Sequence, residues 1–195
     1  MTKFTRIETL DDLKTCPKLG LDHILWDSQV SIKTEAQCAY NQDGFVLKFI
    51  VHESNPLRRF KNDQEFVFKD SAVEFFISFG LPYYFNFEVN ANGAILAEYG
   101  IKKAKPSDRA YLAQKDLNRV KRHVTLADDH WSIILEIPFA LFSKYQKEID
   151  FKHFTFNLYK IAEDKNIEHY HSYGLVKSER PNFHRPEDFV AGTLG

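Results

Sequence analysis

The stretch SAVEFFISFGLPYYFNFEVN, residues 71–90, decides the fold. In its first half Val73, Phe75, Ile77 and Phe79 fall on one side at period two, with Ala72, Glu74, Phe76 and Ser78 on the other. Gly80-Leu81-Pro82 turns the chain, after which Tyr83, Phe85, Phe87 and Val89 alternate with Tyr84, Asn86, Glu88 and Asn90. Side chains two residues apart share one face of a strand. These are therefore two strands, each with an apolar face for a core, and the second turns a fully polar row away from it.

The same pattern extends in both directions. Residues 36–52, AQCAYNQDGFVLKFIVH, hold two strand-like runs joined at Asp43-Gly44, a dipeptide that supplies the positive φ angles of a tight hairpin. Phe45, Leu47, Phe49 and Val51 form its core face, opposite Lys48 and His52. A short strand over 94–99 follows Asn92-Gly93, and residues 119–127 and 131–137 form another hairpin linked at Asp128-Asp129, with Trp131, Ile133, Leu135 and Ile137 as its core stripe. Residues 151–161 place Phe154, Phe156 and Leu158 inward and His153, Thr155, Asn157 and Tyr159 outward. Helix is minor: FALFSKY after Pro138 suits a short one, and a second is expected near residues 9–14. Residues 102–118 show no clear period and read as a long loop or insertion with solvated basic side chains. Many short strands separated by turn signals predict an all-β chain, a two-sheet antiparallel β-sandwich of jelly-roll type with one or two short helices.

At 195 residues the chain suits a single domain spanning 1–195. With 44% hydrophobic and 27% charged residues, disorder, collagen-like repeats and a membrane protein are all disfavoured. Lys and Arg number 26 and Asp and Glu 27, a formal charge of −1, so no general attraction to nucleic acid or anionic lipid is expected. The 18 Phe, 9 Tyr and 2 Trp, 15% of the chain, favour sheets and surfaces that stack flat ligands. The opening MTKFTRIETLDDLK has no apolar run of signal-sequence length. The expectation is a cytoplasmic protein, or an extracytoplasmic one if a leader is removed. Cys16 and Cys38 make no disulfide framework and read as structural thiols.

Nucleotide-binding glycine loops cannot be written with eight glycines in the whole chain. His169 and His171 share one strand face and would need Asp164 or His153 to complete a metal site; hydrogen-bonded groove histidines are the better reading. Glu74 and Glu88 have the chemistry of a glycosidase pair, but their separation is not written in the sequence. The positive signal is the set of polar rows: Tyr84, Asn86 and Glu88 on one strand, Asn157 and Tyr159 on another, and Glu74 on a third. A sugar offers hydroxyls at its edge and apolar C–H faces, so its site needs amide and carboxylate partners beside aromatic plates. A solvated outer sheet face gives the same pattern, and both readings stay open on pattern alone.

Six motifs occur in order: DSAVEFFISF (70–79), YYFNFEVNANG (83–93), WSIILEIPF (131–139), FTFNLYKI (154–161), HYHSY (169–173) and FHRPEDF (183–189). Together with AYNQDGFVLKFIV (39–51) they resemble the family 9 carbohydrate-binding modules and their stand-alone bacterial relatives, from about residue 36 to the C-terminus. The resemblance implies a jelly-roll-like sandwich that binds a terminal mono- or oligosaccharide without chemistry, gripping one ring between two aromatic side chains, usually tryptophans. Carried across motif by motif, these plates fall at Phe68 and Phe183, and the polar contacts at Glu74, Asn86, Tyr159 and Arg180. An arginine is often found where Asn86 stands. Tyr84, Glu88, Asn157, Tyr173, Trp26, His184 and Arg185 are rim candidates, although Trp26 also suits a core position and Arg185 an ion pair that fastens the C-terminal segment. Relatives bind structural calcium, but no oxygen cage can be picked from these residues, so no cofactor or metal is assigned. The competing readings are a small glycoside hydrolase or other carbohydrate-active enzyme using Glu74 and Glu88, a haem sandwich ligated through His169, His171 or His184, and a protein-interaction domain with Phe68 and Phe183 exposed. Oligomeric state is not legible.

Overall fold

The computed structural model describes residues 1–102 and 104–195. Fourteen strands lie among the described residues: β1 (Thr2–Arg6), β2 (Lys18–Gly20), β3 (His23–Ile24), β4 (Thr34–Tyr40), β5 (Gly44–Val51), β6 (Ala72–Gly80), β7 (Tyr83–Asn90), β8 (Ile95–Gly100), β9 (Arg109–Tyr111), β10 (Lys121–Leu126), β11 (Trp131–Pro138), β12 (His153–Ala162), β13 (His169–Ser172) and β14 (Val190–Leu194). Two short α-helices accompany them, α1 (Gln114–Leu117) and α2 (Phe139–Tyr145), with a 3-10 turn at Leu10–Thr15 where the early helix was expected. No helix is long and apolar enough to cross a membrane among the described residues.

The strands follow the hydrogen-bonded order β10-β11-β5-β4-β1-β14-β12-β6-β7-β8-β9, with β2 added on β4, β13 on β12 and β3 on β13. The two halves of this path face each other across one core. Phe45, Leu47 and Phe49 of β5 and Ile133 and Leu135 of β11 share it with Phe75 and Ile77 of β6 and Phe85 and Phe87 of β7. Phe4 stands in the middle, edge-on to Phe45, Phe154 and Phe156 at 5.7, 5.0 and 5.0 Å, geometry that aligns ring edges with ring faces.

An all-antiparallel arrangement is corrected at β1. Thr2–Phe4 run parallel to Gly192–Leu194 of β14, and Thr5–Arg6 then run parallel to Ala39–Tyr40 of β4. The strand order is mixed, and β1 is the seam between the halves. Parallel neighbours are not joined by a tight turn, so this pairing leaves no local signature to read. The unperiodic segment 102–118 is also corrected: β9 pairs with β8 at Glu98↔Tyr111, Tyr99↔Ala110 and Gly100↔Arg109, and α1 follows it. A three-residue strand is too short to show alternation.

The hairpin at 36–52 forms where expected, but by another device. Asn41 Oδ1 accepts from the backbone N–H groups of Asp43 and Gly44 at 2.9 and 3.0 Å, and neither Asp43 nor Gly44 has a positive φ. Gly44 is needed for space: a Cβ there would lie 2.1 Å from the Ile137 carbonyl oxygen. Gly44→Ala is therefore expected to cost about 1–3 kcal/mol through overpacking against backbone, read as a lowered urea midpoint. Asp43→Ala, at an exposed position, should stay within about 0.5 kcal/mol of wild type.

Candidate functional site

The second face of β6, β7 and β12 is also covered. Phe76, Tyr84, Tyr159 and Ile161 pack under Tyr170, Val176 and Phe183, with Leu25, Trp26, Phe68 and Phe189 beside them. Asn86, Asn90, Asn157 and Tyr159 are fully buried, so the polar rows are not a solvated outer face. Residues 173–189 and 25–28 close over them, and these segments carry no strand period that would have announced it.

Between this cover and the sheet lies a cavity of about 290 Å³. Alternation sets its floor: Glu74 and Phe76 from β6 stand beside Glu88 from β7, and Leu96 and Glu98 come from β8. A short 3-10 turn over Val67–Lys69 brings Phe66 and Phe68 to one wall. Phe183, Asn182, His184, Trp26 and, from β9, Tyr111 add to the lining. Phe66 and Tyr111 are about half exposed, at 50% and 52%, and the Phe66 and Phe68 rings lie 5.6 Å apart. Phe183 is only 5% exposed. One of its faces is stacked on Tyr159 at 4.0 Å and 16°, and Trp26 leans on it at 5.2 Å.

The electrostatics are one-sided. Glu74 and Glu88 face each other in register across β6 and β7, a pairing of like charges that disfavours ionisation of both. Both are at least nine-tenths buried, and Oε2 of each has no hydrogen-bond partner. Burial, then Glu88 and Glu163, pushes the Glu74 carboxyl well above the ordinary range. Burial pushes Glu88 up to about 8, against a 2.9 Å hydrogen bond donated by Asn86 Nδ2 to its Oε1. Glu163 is raised as well, by burial and then by Glu168.

A second layer holds these groups. The Arg109 side chain is buried, its guanidinium 3.9 Å from the Tyr84 ring centroid. It donates to Asn86 Oδ1 and pairs with Glu98 Oε2 at 3.4 Å. Arg109, Asn86 and Glu88 thus form a hydrogen-bonded chain ending at the cavity floor, charge-assisted at the arginine. The segment that reads as a solvated basic loop supplies its guanidinium. Tyr84 Oη bonds His184 Nδ1 at 2.9 Å.

Of the residues singled out from sequence, Phe68, Phe183, Glu74, Glu88, Trp26 and His184 are brought to the cavity. The others are not. Asn86 orients Glu88 from behind, Tyr159 backs Phe183, and Tyr84 lies under Arg109. Asn157 donates to the Gly174 carbonyl at 3.0 Å, fastening the cover segment. Tyr173 Oη meets Thr2 Oγ1 at 2.8 Å, well away, and Arg180 is exposed outside the lining. Arg185 pairs with Asp188 at 2.6 Å and pins the segment near the C-terminus. Phe66, Tyr111 and Glu163 were missed because they come from loops or short elements without period, with only the proximity of Phe66 to Phe68 as a signal; Glu98 and Tyr170 lie in the strand over 94–99 and in the HYHSY motif and were not singled out.

The histidine pair serves another purpose. Both ring nitrogens of His169 are engaged, Nε2 with Lys160 Nζ at 2.7 Å and Nδ1 with the Ile167 carbonyl at 2.6 Å. Among the described residues no group of three or more His, Cys, Asp or Glu side chains is placed to hold a metal ion. Cys16 and Cys38 are free and buried, and burial raises both thiols.

The profile of carbohydrate-binding family 9 matches residues 6–194. Among solved structures, a "putative carbohydrate-binding protein" of Bacteroides uniformis is similar at 23% identity, with a TM-score of 0.86 over 99% of this chain and 98% of that one. A family 9 carbohydrate-binding module of Caldicellulosiruptor kristjanssonii in complex with glucose is similar at 12% identity and a TM-score of 0.66, over 99% and 94% of the two chains. The same organism's family 9 module in complex with cellotriose gives 11% and 0.67, over 99% and 92%. At these identities the likeness is one of fold. A comparison with curated protein sequences finds no match.

Proposed function

The chain belongs to carbohydrate-binding family 9, and we propose that it binds a mono- or oligosaccharide without chemistry, in the cavity over β6 and β7 of a two-layer, jelly-roll-like sandwich. One observation carries the reading: aromatic rings wall a cavity whose floor presents buried carboxyl oxygens with no partner of their own. Sugar C–H faces pack on the rings, and hydroxyls supply the missing hydrogen bonds. At about 290 Å³ the cavity lies at the small end of ligand sites, which span roughly 300–1,000 Å³, and suits one ring at a chain end. Phe68 and Phe183 are the two plates; Phe66 and Tyr111, more exposed, extend the first wall.

The state of the two carboxyls supports binding over turnover. Hydrolysis at a glycosidic bond needs one carboxyl kept ionised and one kept protonated. Here burial moves Glu74 and Glu88 in the same direction.

Calorimetric titration with a panel of monosaccharides and short oligosaccharides tests the reading. Phe68→Ala is the informative variant because Phe68 is half-buried and lies at the wall, whereas Phe183 also props Tyr159. Removing one stacking plate should weaken binding by about 1.5 kcal/mol, roughly tenfold, with the thermal midpoint little moved. Undiminished heat of binding in Phe68→Ala would place the sugar elsewhere.

A further inference from the structure

The cavity is built for a positive charge. Glu74, Glu88, Glu98 and Glu163 line it, and among the described residues no lysine or arginine does. Glu98 is paired with Arg109 behind the wall, but Glu74 and Glu88 each keep an oxygen without a partner although both are at least nine-tenths buried. They sit opposite one another in register. Desolvated like carboxylates cost free energy unless a cation or protons neutralise them. A neutral sugar brings hydrogen-bond donors and no charge. An ammonium brings three donors and one charge, and the faces of nearby Phe68, Phe76 and Tyr111 add the attraction of aromatic rings for a cation.

Resting on the sugar-binding reading, we infer that the preferred ligand is an amino sugar with a free, unacetylated ammonium group, seated between Glu74 and Glu88. Anionic sugars are excluded by the same carboxylates. Entry of the cation displaces protons from the pair, whose ionisation burial and the facing like charge both oppose. The other ionisable groups around the pair are Glu163, the Glu98–Arg109 pair, Tyr84, Tyr159 and His184. Lys160, on the reverse face of β12, reaches Glu74 only through its field. Of the two cations, Lys160 thus stands away from the cavity and Arg109 is already committed to Asn86 and Glu98.

The test is titration of the full chain with glucosamine, glucose and N-acetylglucosamine at about pH 6.5, where a sugar amine is protonated, in two buffers of different ionisation enthalpy. Glucosamine should bind at least tenfold more tightly than either neutral sugar, and only its apparent heat should depend on the buffer, because only it expels protons. Glu88→Gln should lower the glucosamine-to-glucose affinity ratio; the buffer dependence, measured on wild type, decides the matter even if that variant folds poorly. If glucose binds and glucosamine binds no better, the charge inference is overturned and the sugar site stands. If none of the three binds, the sugar reading falls and takes the inference with it.

Discussion

Arg109→Ala is expected to cost about 3–5 kcal/mol, because removing one member of a buried, bonded charge cluster leaves the others desolvated and unpaired. The arginine side chain is 1% exposed and pairs with Glu98. It donates to Asn86 Oδ1, to the Ile101 carbonyl at 3.3 Å and to the Tyr84 carbonyl at 3.4 Å, and lies over the Tyr84 ring. Alanine strands each of these acceptors. It also frees Asn86 to rotate, so the Asn86 bond that orients Glu88 goes with it. Arg109→Lys should recover only part of the loss, since one ammonium cannot reproduce the planar fork. Urea unfolding of the three proteins reads the difference; a loss below about 1 kcal/mol for alanine would mean that water replaces the guanidinium and that the chain from Arg109 to Glu88 is not structural.

The second large effect is a dependence of stability on pH. A carboxyl whose pKa is higher folded than unfolded takes up a proton on folding, so its contribution is fully present below the unfolded pKa and is lost as pH rises through the folded one. For Glu88 that window runs from its ordinary 4.5 to about 8, and Glu74 shifts in the same direction. Each such carboxyl removes about 1.4 kcal/mol of stability per pH unit inside its window. His169, held down to about 3 by burial and then by Lys160, opposes this: below its ordinary 6.5 it costs stability as pH falls. The clean observable is therefore the difference between wild type and the Glu74→Gln/Glu88→Gln double variant. That variant should gain on wild type by several kcal/mol between pH 4.5 and pH 8, and a parallel pair of stability curves would show that the two carboxyls ionise as freely folded as unfolded.

Alternation carried most of the architecture. Val73, Phe75 and Ile77 against Glu74 and Phe76, and Phe85 and Phe87 against Asn86 and Glu88, were assigned to opposite faces by period alone, and the structure seats them so. What period cannot report is whether an outward face stays wet. The cover is made by residues 173–189, held by single bonds such as Asn157 Nδ2 to the Gly174 carbonyl and Trp26 Nε1 to the Ser178 carbonyl. Such contacts join positions 17 and 152 residues apart and leave no local pattern. For the same reason Asn86 and Tyr159, legible as outward, turned out to be supports lying behind Glu88 and Phe183. Arg109 and Tyr111 were invisible because a three-residue strand carries no rhythm, and β1 because nothing local marks a parallel seam.

That seam bears on how the protein is made. β1 has β14, some 190 residues away in sequence, as a neighbour, and the Phe4 carbonyl accepts from the Gly195 N–H at 3.0 Å. Contacts so remote in sequence are slow to close, and until residues 190–194 dock the edges of β1 and β12 stay open to stray strands. Docking of β14 between β1 and β12 is thus the event that seals the sheet, and before it the folding chain is exposed to pairing with its neighbours.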